Sequence, residues 1–227
     1  MLKTVCNDKN GLKFSTTAFT LVEVLVVIAI IGVVAAMSLP ILLSGATSYK
    51  EQIAKVKKAY SALSNAYEKA QLTYDEADGW AALARANGED ESKFFADKMS
   101  EFLSISKKKD NVVLLFDGML VTFNLNKYAT DSVHYSGSRY LGSIDVDIDG
   151  PEKGKNEYGK DKFVFDVTDK GIYPEGIEND DLVEQCFGNG YCTKWVIQND
   201  SMDYLKADSR GNCEKGGQLS WSVKSCG

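Results

Sequence analysis

The chain has 227 residues with 32 acidic and 26 basic side chains, a net charge of −6 and 44% hydrophobic content. The apolar share is enough for a packed core, which excludes a disordered chain. The acidic balance argues against a nucleic-acid partner, because such proteins present a basic face. Lysines gather only in short runs, Lys55, Lys57 and Lys58, then Lys107, Lys108 and Lys109. Both runs sit among acids and read as a solvated helix face or loop.

Residues 1–18, MLKTVCNDKNGLKFSTTA, carry Lys3, Lys9 and Lys13 against Asp8. Residues 19–43 follow as 25 residues whose single charge is Glu23. About 20 such residues cross a bilayer as a helix. Positive charge ahead of the span keeps the leader cytoplasmic and sends the remainder outward. A cleaved signal peptide has a shorter apolar region closed by small residues. Here the apolar run continues into Ser38, Leu39, Pro40 and Ile41, so a single retained anchor is expected, with a soluble remainder.

The stretch Ala18-Phe19-Thr20-Leu21-Val22-Glu23-Val24-Leu25 resembles the cleavage and methylation signature of type IV prepilins and type II secretion pseudopilins. The resemblance implies cutting between Ala18 and Phe19 by a prepilin peptidase and N-methylation of Phe19. It implies that Glu23 is the family's glutamate, fifth in the mature chain. Pro40, residue 22 counted from Phe19, falls where many pilins kink. Ala18 departs from the glycine usual in the family. A carboxylate in hydrocarbon costs roughly 2.5–3.5 kcal/mol and marks function or a partner. Glu23 pairing with the Phe19 amine of a neighbouring helix offsets that cost; snorkelling to the interface is the alternative. Pro40 removes a helix hydrogen bond, and with Gly45 it predicts a kink or melted turn over 38–45.

From Tyr49 the pattern is helical. Tyr49, Ile53, Val56, Tyr60, Leu63, Tyr67, Ala70 and Tyr74 alternate at spacings of four and three along one face. With the membrane part this predicts a continuous helix of about 55 residues, about 80 Å at 1.5 Å per residue. The stripe requires a partner, either the chain's own head or a coiled-coil mate, the head being preferred. Shorter helices are expected over 76–87 and 91–105, with Trp80, Leu83, Phe94, Phe95, Met99, Phe102 and Leu103 toward a core. The period then changes to two. Residues 112–116 and 120–125 flank Asp117-Gly118 and predict a β-hairpin. Strands are expected at 140–148 and 162–167, and shorter ones at 195–198 and 219–223.

Cys6 lies in the leader, and Cys186, Cys192, Cys213 and Cys226 cluster late. An even set in an exported region predicts disulfides with three pairings open. Neighbour pairing, Cys186 with Cys192 and Cys213 with Cys226, closes the shortest loops and is preferred; zinc is the alternative. Asp145-x-Asp147-x-Asp149-Gly150 matches the first half of a calcium loop, with Asp161 as a further ligand. Asn156 stands where the closing glutamate belongs. The alternative is a strand with Val146 and Ile148 inward and the aspartates outward. His134 in a polar loop reads as a surface residue, and no nucleophile elbow, Walker loop or dinucleotide fingerprint occurs.

The expected fold class is α+β and pilin-like. A long N-terminal helix, half transmembrane and half amphipathic, packs on a small antiparallel sheet with a disulfide-stapled C-terminal region. The expected organisation is a leader at 1–18, a transmembrane and polymerisation helix at 19–43, and an amphipathic helix and head at 44–227. The resemblance implies a non-enzymatic filament subunit in the inner membrane, its head extracytoplasmic. Implied partners are a prepilin peptidase, identical or related pilin subunits, the secretion or pilus assembly machinery and membrane lipid. No cofactor is required, calcium being the one candidate. The competing expectation is a membrane-anchored extracytoplasmic domain that binds a ligand or surface without polymerising.

Overall fold

The computed structural model describes residues 21–42, 45–125, 136–176, 186, 192–208, 210–220 and 222–227, with side chains described outside residues 35–48. The chain divides into two units, Met1–Gly45 and Ala46–Gly227. The first contains α1 (Leu21–Leu42), 22 residues with Glu23 in its opening turn. The second is the head. Residues 43 and 44 lie outside the described residues, and with them the continuity of the expected single helix; of the stretch 38–45 expected to kink or melt, 38–42 are helical and end α1.

The head begins with α2 (Gly45–Tyr74). Its predicted stripe is the buried one. Val56, Leu63, Tyr67 and Ala70 are at most 1% exposed, Ile53 is buried, and Tyr60 and Tyr74 are partly so. Ala59 and Ala66 join them and bring the helix close to the sheet. Tyr49, at the start of the stripe, stays exposed. The partner of the stripe is therefore the chain's own head, with Tyr60 stacked on Phe165 of the sheet at 5.9 Å between ring centroids.

Two helices follow, α3 (Ala77–Asn87) and α4 (Glu91–Ser100). Gly88, at φ 69°, closes α3 in the left-handed conformation that glycine adopts without a Cβ penalty. Asp90 opens α4 by accepting a hydrogen bond from the Lys93 amide at 2.8 Å. Trp80, Phe95 and Met99 are buried as expected, whereas Leu83 is 53% exposed. Tyr67, Trp80, Phe95 and Phe123 form a run of ring contacts, with centroids 5.1–6.4 Å apart, joining α2, α3, α4 and the sheet.

The sheet has six antiparallel strands in sequence order, β1 (Ile105–Lys109), β2 (Val112–Leu115), β3 (Leu120–Leu125), β4 (Tyr140–Asp147), β5 (Lys162–Thr168) and β6 (Ile172–Pro174). Alternation places Val113, Val121, Phe123, Ile144, Val146, Phe163, Phe165 and Val167 in the core. The predicted hairpin at Asp117-Gly118 and the strands at 140–148 and 162–167 are present. The lysine run at 107–109 is neither helix face nor loop. Lys107, Lys108 and Lys109 form the edge strand opposite Leu114, Val113 and Val112, where charge discourages further strand addition.

Residues 195–198, read as a strand from their branched and aromatic side chains, belong to a helix, α5 (Thr193–Asn199). Thr193, Lys194, Trp195 and Val196 are all buried. Four consecutive buried residues do not suit a strand with one covered face. The helix is anchored by the Lys194 amide on the Glu175 carbonyl oxygen and by the Val164 amide on the Thr193 hydroxyl. A 3-10 turn, Asp203–Lys206, follows. No strand forms at 219–223 among the described residues. Instead Asn212 bridges to Gln218, and Ser220 and Val223 close a turn on each other.

Candidate functional site

Two regions concentrate the predicted site residues, the start of α1 and the β4–β5 connection. In α1, Glu23 lies in the first described turn. Every side chain described for residues 21–34 is exposed, including Leu21, Val22, Leu25 and Ile28. Among the residues with described side chains, no helix is long and apolar enough to cross a membrane. Ala18 and Phe19 lie outside the described residues, as does the side chain of Pro40. His134 also lies outside them.

In the β4–β5 connection the four aspartates take different partners. Asp145 accepts from the Tyr158 hydroxyl at 2.9 Å. Asp147 is buried and turns back on the main chain, accepting from the Gly150 amide at 2.9 Å. Burial, then hydrogen bonding with the Asp149 carboxyl, pushes the Asp147 carboxyl up to about 6. Asp161 is 5% exposed, and its Oδ2 accepts from the Lys155 and Asn156 amides at 2.9 and 3.1 Å. Asp149 and Asp161 meet over Gly154: a Cβ there would lie 2.4 Å from Asp161 Oδ2 and 2.8 Å from Asp149 Oδ2. The other oxygen of each, Oδ1, is buried without a hydrogen-bond partner. Among the described residues, no group of three or more His, Cys, Asp or Glu side chains is placed to hold a metal ion.

Two disulfides staple the C-terminal region. Cys186 pairs with Cys192 and Cys213 with Cys226, at Cα separations of 4.5 and 5.5 Å. All four cysteines are buried members of the hydrophobic core.

Sequence reasoning missed an acidic groove on the open face of the sheet, a 420 Å³ recess lined by Asn124, Tyr140, Ser143, Asp145, Tyr158 and Glu175. Burial, reinforced by the Asp166 and Asp145 carboxylates, pushes Glu175 up to about 8. Burial also pushes the Tyr140 hydroxyl up to about 12. The alternation of β4 already aimed Asp145 outward. Nothing local placed Glu175 beside it, because β6 joins the sheet only through its pairing with β5.

Comparison with curated proteins and with solved structures returns no match. Residues 15–39 match the family model described as the prokaryotic N-terminal methylation motif. That span contains the leader's end, the Ala18–Phe19 junction, Glu23 and most of α1. The chain carries the type IV prepilin and pseudopilin signature.

Proposed function

We propose that the protein is a structural subunit of a type IV pilus or a type II secretion pseudopilus, assembled through its N-terminal helix. The observation that carries this reading is the methylation motif at 15–39, with Glu23 set in the first turn of α1. A prepilin peptidase cuts between Ala18 and Phe19, and the new amine is methylated. The chain is held in the inner membrane by residues 19–43, with the head outside, until it joins a filament of identical or related subunits. Glu23 of one subunit meets the Phe19 amine of its neighbour, which offsets the desolvation of both charges and sets their axial stagger. Pro40 gives the packed helix its bend. The role is mechanical, and the six-stranded sheet with α2 forms the displayed body.

The β4–β5 connection fits a calcium ion held by Asp149 and Asp161. The two carboxylates crowd one point over Gly154, and each keeps a buried oxygen without a hydrogen-bond partner. Main-chain oxygens and water complete such a site, calcium taking 6–8 oxygen ligands. A bound cation would neutralise the facing carboxylates and fix the connection.

The test is mass spectrometry of the membrane-extracted chain, made together with its own prepilin peptidase. The expected product begins at N-methylated Phe19. An intact leader, or a cut beyond Pro40, would remove the filament reading.

A further inference from the structure

We infer that neighbouring copies of this chain dock head to tail, the Phe116 ring of one seating in the cavity between α3, α4 and the β3–β4 ends of the next. The inference rests on the filament reading above and specifies a contact between heads.

The knob is Phe116, on the β2–β3 turn, 77% exposed. Its turn is held from several sides. The Phe116 amide donates to the Ser104 carbonyl oxygen at 3.0 Å, and the Gly118 amide to that of Leu115 at 3.1 Å. Asp117 accepts from the Met119 amide at 3.3 Å and pairs with Lys58 at 2.8 Å. A large ring on a pre-ordered turn loses little freedom when it docks.

The hole is a cavity of about 200 Å³ whose apolar wall includes Ala81, Phe95, Leu125 and Leu141. The volume is of the order that admits a benzene-sized ring, about 150 Å³ in a dry apolar cavity, although here charged Asp78, Arg85, Glu91 and Arg139 share the lining. Its rim carries two ion pairs, Arg85 with Glu91 at 3.2 Å, and Arg139 with Asp78. Guanidinium planes stack on aromatic faces. The Arg139 side chain is part-exposed at the rim, where its guanidinium plane can meet an entering ring.

The two features lie at opposite ends of the same strands. Phe116 precedes Leu120, where β3 begins opposite Asp147; the cavity is lined by Leu125, where β3 ends, and by Leu141 near the start of β4. At about 3.4 Å per residue, β3 sets them roughly 17 Å apart. A patch at one end that fits a different patch at the other makes a heterologous contact. Such contacts propagate into helical assemblies, whereas self-complementary ones close into pairs. This is the geometry a filament requires.

The experiment uses the full chain assembled with its own peptidase and assembly machinery. Asp117→Cys, on the same turn with the Phe116 ring kept, and Ala82→Cys, at the exposed cavity rim, are made singly and together, and sheared filaments are treated with a short bis-maleimide. A ladder of multimers from the double variant, absent from both single variants, is expected. Filaments of the double variant without a ladder would overturn the docking and leave the filament reading standing. No filaments from the unmodified chain would overturn both. Should the double variant not assemble, Phe116→Asp decides: at least about a tenfold loss of filament with an unchanged circular dichroism spectrum supports the docking. An undiminished filament yield from Phe116→Asp overturns it.

Discussion

The Tyr67 hydroxyl donates to the main-chain oxygen of Thr168 at 2.5 Å, joining the middle of α2 to the end of β5 across 101 residues of sequence. Gln71 donates to the same hydroxyl at 2.9 Å and to the Asp169 carbonyl oxygen at 3.2 Å. Burial, with the nearby Asp169 and Asp78 carboxylates, raises the Tyr67 hydroxyl above its ordinary range. It is therefore a donor at all physiological pH. One buried phenol thus fixes how the helix lies on the sheet.

Tyr67→Phe keeps the ring in its aromatic cluster but leaves the Thr168 oxygen without this donor. A buried unsatisfied acceptor costs about 1–3 kcal/mol. In a head of this size that is a fall in Tm of several degrees, on the order of 2–4 °C per kcal/mol. Thermal unfolding of the detergent-solubilised protein reads it; an unchanged Tm would show that the helix is seated by apolar packing alone.

Glu175 makes stability pH-dependent. Its carboxyl is raised from 4.5 to about 8 by burial and by Asp166 and Asp145, with Tyr140 facing the same recess. The folded protein therefore keeps a proton that the unfolded chain releases between these values. Stability from this group is fully present below pH 4.5 and is lost as pH rises through 8. Glu175→Gln should flatten the fall in Tm between about pH 5 and 8 and leave the variant the more stable at the alkaline end. The same slope in both proteins would place the titrating group elsewhere.

Calcium should raise the Tm of the unmodified protein, and a chelator should reverse the rise. Asp161→Asn, which keeps the shape but removes the charge, should abolish the response. Gly154→Ala should weaken it as well: φ is +68° there, and the added Cβ would press on the carboxylate oxygens of both Asp161 and Asp149. The left-handed conformation alone costs a non-glycine residue about 1–2 kcal/mol. A calcium response that survives Asp161→Asn would move the ion to another site.

Glu23→Ala separates processing from assembly. Cleavage after Ala18 and methylation of Phe19 should persist, since the leader and junction are unaltered. Filament yield should fall by about tenfold or more. Filaments at normal yield would reduce Glu23 to a residue tolerated at the membrane surface.

Much of this protein is legible from local pattern. The apolar stretch with one carboxylate and the charged residues ahead of it form a linear signal, and residues 15–39 match the prokaryotic N-terminal methylation motif. The stripe from Ile53 to Ala70 and the alternation in β3, β4 and β5 follow from helix and strand periods. The Asp117-Gly118 hairpin follows from turn chemistry. Tertiary structure decided the remainder. Lys107–Lys109 became an edge strand because β2 offered an unpaired ladder, which their own charge does not disclose. Residues 195–198 became helix because Thr193–Val196 bury together beside β5 and β6, where the Thr193 hydroxyl and the Lys194 amide bond to Val164 and Glu175. Asp149 and Asp161 meet over Gly154 through the pairing of β4 with β5, and Glu175 reaches Asp145 through the pairing of β6 with β5. Periodicity is a property of neighbours along the chain, and sequence alone determined what depends on it. Burial and charge proximity depend on which surfaces meet, and only the folded chain set those.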